Sequence, residues 1–170
     1  MIMGDVQILA QIKSGFSLAN QSTTAGFFMN KLFQSAFHVG KRSRSESHIS
    51  EGAISVSYAA VELAQHIFED LRRKTALVIG AGDTAQLTAK HLKGKEIGNL
   101  FITNRTRERA EALAKMVGGS VIPFDVFSER LSDIDIIISS VQSDKYVLNR
   151  TDIEKIIGNR HTSALFLIDI

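Results

Sequence analysis

A short apolar stretch followed by a run of small residues constrains this chain more than any other feature of its sequence. Residues 77–79 are Leu-Val-Ile, an unbroken apolar run that is typical of a parallel strand buried on both faces. Residues 86–92 then carry apolar side chains at helical spacing. Between them lie Gly80, Ala81, Gly82, Asp83, Thr84 and Ala85. Gly80, Gly82 and Ala85 fit the Gly-x-Gly-x-x-Gly/Ala fingerprint, which predicts that this turn binds the pyrophosphate of a dinucleotide at the start of a helix. A plain strand-to-helix turn is the alternative interpretation.

The second predicted strand, residues 100–104, ends where a dinucleotide fold selects its cofactor. An acidic residue here would accept hydrogen bonds from the ribose of NAD, but the chain has Asn104, Arg105 and Thr106 instead. Arg105 can pair with a 2′-phosphate, and Thr106 can donate a further hydrogen bond to it. We therefore expect NADP(H) rather than NAD(H). Arg107 and Arg109 lie close by, although solvated charges in the first turn of a helix are the favoured interpretation of both.

Strands alternate with helices along the rest of the chain. The predicted strands after the second are residues 120–124, 135–140 and 164–169, and the predicted helices are 84–93, 106–117 and 150–157, with a short helix or turn at 125–131. This alternation predicts an α/β fold of the Rossmann type, a doubly wound parallel sheet of order 3-2-1-4-5. The cofactor would then cross the carboxyl ends of strands 1 and 4. Ser139 and Ser140 would border its pyrophosphate or nicotinamide, unless they merely end a strand.

The N-terminal part is predicted to be helical, and it precedes the sheet. Apolar side chains recur at helical spacing over residues 5–20, 25–40 and 51–71. Residues 40–46, Gly-Lys-Arg-Ser-Arg-Ser-Glu, are predicted to be a cationic break between the second and third helices. Its cations can touch an RNA backbone, but a role at a helix C-terminus, where they offset the helix dipole, is favoured. We predict two domains, a helical tail over residues 1–50 and a cofactor domain over residues 51–170.

Composition excludes several classes of protein. The 170 residues carry a net charge of +2, contain no Cys, and have five scattered His without metal-ligand spacing, so neither a thiolate site nor a metal site is expected. Apolar runs fall short of the ~20 residues of a membrane span, and the start lacks a secretory signal, which predicts a cytoplasmic protein without a membrane partner. The chain ends within the apolar run 164–170, and we read it as a piece of a longer protein, with a genuine terminal strand as the alternative.

Five blocks in order resemble the middle of a glutamyl-tRNA reductase. Residues 4–13, Gly-Asp-Val-Gln-Ile-Leu-Ala-Gln-Ile-Lys, resemble that family's Gly-Glu-x-Gln-Ile-Leu-Gly/Ala-Gln-Val-Lys signature. Residues 40–46 follow at the expected place, and residues 52–64 resemble the family's Gly-Ala-Val-Ser-Val block. Residues 78–83 and 104–110 complete the series.

This resemblance implies NADPH-dependent reduction of glutamyl-tRNA to glutamate 1-semialdehyde for tetrapyrrole (porphyrin) synthesis. In the family a Cys attacks the ester carbonyl and the resulting thioester accepts a hydride. That Cys lies upstream of the block at residues 4–13, and the dimerising helices lie downstream of Ile170. We therefore expect no catalytic residue within these 170 residues, cofactor binding without turnover, and a homodimer for the full-length enzyme.

Carried onto this chain, the family's glutamate pocket falls on Asp5, Val6, Gln7 and Gln11. Asp5 stands where the family usually has Glu, and its side chain is one methylene shorter. In the glycine turn, Asp83 also replaces the usual Glu. For Gln7 and Gln11, a solvated helix face is the favoured interpretation in the isolated piece. Two other functions remain open. One is a shikimate dehydrogenase, which shares the Gly-Ala-Gly and Asn-Arg-Thr elements; the other is a non-enzymatic dinucleotide sensor.

Overall fold

The computed structural model describes residues 6–47, 55–159 and 164–170. The chain divides into two compact units, residues 1–56 and residues 57–170. None of the helices within the described ranges is both long and apolar enough to cross a membrane.

The first unit is a pair of helices, α1 (Val6–Gln21) and α2 (Phe27–Ser47). An aromatic cluster joins them. Phe16 of α1 stacks on Phe33 with ring centroids 4.8 Å apart and meets Phe37 edge-on at 5.6 Å. Phe16 and Phe37 are buried, but other large apolar side chains of both helices stay exposed. Aromatic pairs of this kind add to the ordinary gain from apolar burial, and they fix how the two helices pack.

The predicted break at residues 40–46 is wrong, because α2 continues through it to Ser47. Gly40 lies against the side chain of Leu9, where a Cβ would be 3.4 Å from the nearest methyl carbon, so this glycine packs against α1 and does not end a helix. Arg42 and Glu46 form an ion pair of 3.0 Å one turn apart, which supports helix rather than loop. Arg44 lies in the last turn, where a cation complements the helix dipole.

The second unit is built on a five-stranded parallel sheet. Its strands are β1 (Thr75–Ile79), β2 (Asn99–Thr103), β3 (Ser120–Val121), β4 (Ile136–Ser139) and β5 (Phe166–Asp169). They lie in the order β3-β2-β1-β4-β5, with every neighbouring pair parallel. The predicted fold class and the predicted order 3-2-1-4-5 are therefore confirmed. The third strand is shorter than predicted, since its pairing with β2 ends two residues before Pro123.

Helices cover both faces of the sheet. They are α3 (Val56–Phe68), α4 (Asp83–Gly94), α5 (Arg107–Val117), α6 (Arg150–Asn159) and a 3-10 helix (Phe127–Asp133). Alternate residues of β1 point to opposite faces: Ala76 and Val78 pack with α3, α4 and α5, whereas Leu77 and Ile79 pack with the 3-10 helix and α6. All four are fully buried, which is why the strand reads as a continuous apolar run.

Candidate functional site

Gly80 directly follows β1 and lies between the end of β2 and the start of the loop after β4. Its N–H donates to the carbonyl of Thr103 at 2.8 Å, and its φ of +120° lies in a region that side chains rarely adopt. A Cβ at this position would lie 2.8 Å from the carbonyl oxygen of Ser140 and 3.2 Å from a methyl carbon of Val141. Only glycine therefore fits both the backbone conformation and the space.

Gly82 differs from Gly80, because a Cβ built on it would meet nothing within 4 Å. It is the N-cap of α4 and no described side chain caps the helix, so N–H groups at its start stay available for a ligand. Asp83 is exposed in the first turn, and Ala81 and Thr84 are half-buried. Ala85 is fully buried in the core between α4 and the sheet. The arrangement leaves space and hydrogen-bond donors at the place where the fingerprint predicts a diphosphate.

The residues after β2 lie at the open side of the glycine turn. Asn104 donates through Nδ2 to the carbonyl of Thr106 at 2.9 Å, which closes the turn into α5. Arg105 is exposed, and its Nη2 donates to the carbonyl of Gln142 at 3.2 Å. Among the described residues it forms no ion pair with a carboxylate, so most of its donors remain free for an anion. Arg107 instead pairs with Glu111 at 2.7 Å, and the same pairing raises the pKa of its guanidinium. Arg109 is exposed on α5.

A cleft of about 460 Å³ opens beyond β4 and β5. Ser139 lies in its wall, while the Oγ of the neighbouring Ser140 is buried without a hydrogen-bond partner among the described residues. The lining residues are Ile79, Ser139, Val141, Ser143, Asp144, Lys145, Tyr146, Val147, Leu148, Leu167 and Asp169. Sequence reasoning missed the loop 141–148 and the end of β5. The available signal for the loop was its position just past β4, beside the switch in strand order between β1 and β4, where ligands of this fold class bind.

The four predicted substrate residues belong to the first unit. Asp5 lies outside the described residues, and the side chains of Val6 and Gln7 in α1 are not described either. Gln11 is exposed on α1 in the first unit. Residues 6–47, 55–159 and 164–170 contain no group of three or more His, Asp or Glu side chains placed to hold a metal ion.

The parallel sheet, its strand order and the glycine turn at the carboxyl end of β1 define a dinucleotide-binding fold of the dehydrogenase type. Comparison with known families agrees with this class. Residues 62–170 match the family model described as shikimate / quinate 5-dehydrogenase, and residues 1–47 match the model described as glutamyl-tRNAGlu reductase, N-terminal domain.

Whole-chain comparisons extend over both matched regions. The chain is 46% identical over 170 residues to a glutamyl-tRNA reductase of Syntrophotalea carbinolica and 41% identical to that of Chlorobaculum parvum. It covers 38% and 40% of these proteins, so it spans about two fifths of their length. The solved glutamyl-tRNA reductase of Methanopyrus kandleri is 34% identical, matches with a TM-score of 0.63 over 99% of this chain, and is covered to 42%.

The chain is therefore homologous over its whole length to glutamyl-tRNA reductases, and residues 62–170 belong to the domain family that the shikimate / quinate 5-dehydrogenase model describes.

Proposed function

We propose that these 170 residues are the NADPH-binding part of a glutamyl-tRNA reductase. The observation that carries the choice of cofactor is Arg105, an exposed guanidinium beside the glycine turn that contacts one backbone carbonyl and no described carboxylate. A 2′-phosphate offers such a group a charge-assisted and bidentate partner. An NAD site would place an acidic side chain at this position, and the chain has Asn104 there.

The described residues provide one region for each part of the cofactor. The space at Gly82 and the free N–H groups at the start of α4, from Asp83 to Ala85, suit the diphosphate. Asn104, Arg105 and Thr106 suit the adenosine end, with Arg109 one turn further along α5. The cleft lined by Ser139, with Ser140 beside it, suits the nicotinamide. When bound, NADPH supplies a hydride. The chain's own residues hold and orient the cofactor.

The activity of the complete protein follows from its relatives and is part of the same proposal. Those relatives are named glutamyl-tRNA reductases, so glutamyl-tRNA is the proposed substrate and glutamate 1-semialdehyde the proposed product. Asp5, Val6, Gln7 and Gln11 are proposed to belong to the pocket for the glutamyl group. A homodimer and a cytoplasmic location are proposed for the full-length enzyme. These 170 residues should bind NADPH. Because they contain no Cys, they should release no semialdehyde from glutamyl-tRNA.

Binding measurements on the wild type and Arg105→Ala test the proposal. The dissociation constant for NADPH should rise about 10- to 100-fold in the variant, because a hydrogen bond to a charged group contributes about 1.5–3 kcal/mol. The dissociation constant for NADH should change little. Arg107→Ala is the matched control: it removes a neighbouring cation that is already paired with Glu111, and NADPH binding should stay close to wild type. Equal affinities of the wild-type chain for the two cofactors would contradict the proposal.

A shikimate dehydrogenase is the second candidate, because the family model over residues 62–170 carries that description. The first 47 residues match the reductase model instead. NADP⁺-dependent oxidation of shikimate is an activity that only the second candidate has. We expect none with this chain, and measurable turnover would favour the dehydrogenase.

A further inference from the structure

Ser57, the second residue of α3, is hydrogen-bonded to the first turn of α4. Its side chain is 1% exposed, and its Oγ donates to the carbonyl oxygen of Thr84 at 3.1 Å. The same carbonyl accepts a second side-chain hydrogen bond, from Oγ1 of the fully buried Thr88 at 2.8 Å. Two buried hydroxyl groups from different helices thus meet on one carbonyl of the helix that begins at the glycine turn.

The peptide group that carries this carbonyl has its N–H on Ala85. In an α-helix the carbonyl points toward the C-terminus and the N–H toward the N-terminus, so the Ala85 N–H points to the open end of α4. It is one of the first four N–H groups, which have no partner within the helix. Hydrogen bonds in a chain polarise one another, so donation to the Thr84 carbonyl makes the Ala85 N–H a stronger donor and fixes its direction.

We propose that Ser57 is a positioning residue for the cofactor's diphosphate, acting through the Thr84–Ala85 peptide group. This inference rests on the proposed dinucleotide function. Ser57 itself does not touch the diphosphate. It holds and polarises one of the N–H groups that the diphosphate meets, and it does so from α3, a helix outside the dinucleotide fingerprint.

Other contacts hold α3 against α4 without Ser57. Lys95, just after α4, forms an ion pair with Glu62 of α3 at 2.5 Å, and this pairing lowers the pKa of the Glu62 carboxyl. Tyr58 of α3 meets the ring of His91 edge-on at 5.4 Å. Small residues of the two helices also share one core, among them Ala60 and Ala89. Removal of the Ser57 hydroxyl should therefore leave the helix pair in place and change only the peptide group at the start of α4.

Two ligands separate this role from general loosening of the site. NADPH contains the diphosphate, whereas adenosine 2′-monophosphate carries the phosphate assigned to Arg105 and no diphosphate. In Ser57→Ala we expect the dissociation constant of NADPH to rise about three- to tenfold, the size of one neutral hydrogen bond, and that of adenosine 2′-monophosphate to stay unchanged. The ¹H–¹⁵N signal of Ala85 in the free protein should move upfield, because its N–H is less polarised.

Tyr58→Phe is the control variant on the same helix; it removes a neighbouring hydroxyl that interacts with Glu62 instead of Thr84, and it should leave NADPH binding unchanged. Wild-type affinity for NADPH in Ser57→Ala, or an equal loss for both ligands, would overturn the role of Ser57. A wild-type chain that binds neither ligand would instead overturn the proposed function, and the inference would fail with it.

Discussion

The two sides of the glycine turn are built differently. On the β2 side, Arg105 is exposed and touches one carbonyl across the turn. On the β4 side, Ser140 and Val141 pack so closely on Gly80 that no side chain fits there. The open side can admit a charged group from solvent, whereas the packed side fixes the backbone. The two glycines of one fingerprint therefore serve separate purposes: Gly80 allows close packing, and Gly82 leaves space for a ligand.

Substitution of Gly80 should break the packed side and have the largest effect. In Gly80→Ala the new Cβ would meet the Ser140 carbonyl oxygen at 2.8 Å, and the residue would keep a φ of +120°. Strain and overpacking together should lower the free energy of unfolding by about 2–4 kcal/mol. Urea denaturation measures this change.

Gly118→Ala is the matched control for the backbone term. Gly118 also has a positive φ, of +63°, but a Cβ there would meet nothing within 4 Å. Its substitution should cost only the strain of a left-handed residue, about 1 kcal/mol. If the two variants lose the same stability, the close contact between Gly80 and Ser140 contributes nothing.

Substitution of Gly82 should affect binding and spare the fold. Its φ of −79° suits any residue, and the new methyl group of Gly82→Ala would point into open space. The free energy of unfolding should change by less than about 0.5 kcal/mol. NADPH affinity should fall at least about tenfold, because the methyl group occupies the space proposed for the diphosphate. Isothermal titration calorimetry measures this affinity.

Gly94→Ala, at the other end of α4 and equally free of neighbours, should bind NADPH like the wild type. Unchanged NADPH affinity in Gly82→Ala would show that the space at Gly82 is not a diphosphate site.

The glycine turn and the strand order were predictable because their signals are local. An apolar run such as residues 77–79 reports burial on both faces, and a glycine between a strand and a helix reports a tight turn. The lining of the cleft was not predictable in the same way. Tyr146 and Asp169 carry no motif, and they meet at one cleft only because the chain returns from α6 to place β5 beside β4.

The wrong prediction of a break at residues 40–46 has a similar cause. A glycine followed by polar residues is typical of a loop. Helix α2 nevertheless continues through this segment, because Gly40 packs closely on Leu9 and Arg42 pairs with Glu46. The first of these is a contact between two helices, which the spacing of residues within one helix does not report.

The smallest predicted effect concerns the cleft beyond β4 and β5. Asp169 lies in its lining and is exposed, with Asp144 and Lys145 in the same wall. Oxidised nicotinamide carries a positive charge and reduced nicotinamide does not, so a carboxylate in the cleft should favour NADP⁺. Asp169→Asn should weaken NADP⁺ binding about two- to fivefold, the range of an exposed charge pair, with a smaller change for NADPH.

Asp125→Asn removes the same charge from an exposed position outside the cleft lining and should change neither affinity. Because salt screens exposed charges, the difference between the two cofactor forms should shrink as ionic strength rises. An equal change for NADP⁺ and NADPH would place the nicotinamide away from Asp169 and leave the open β2 side as the only charged contact of the proposed site.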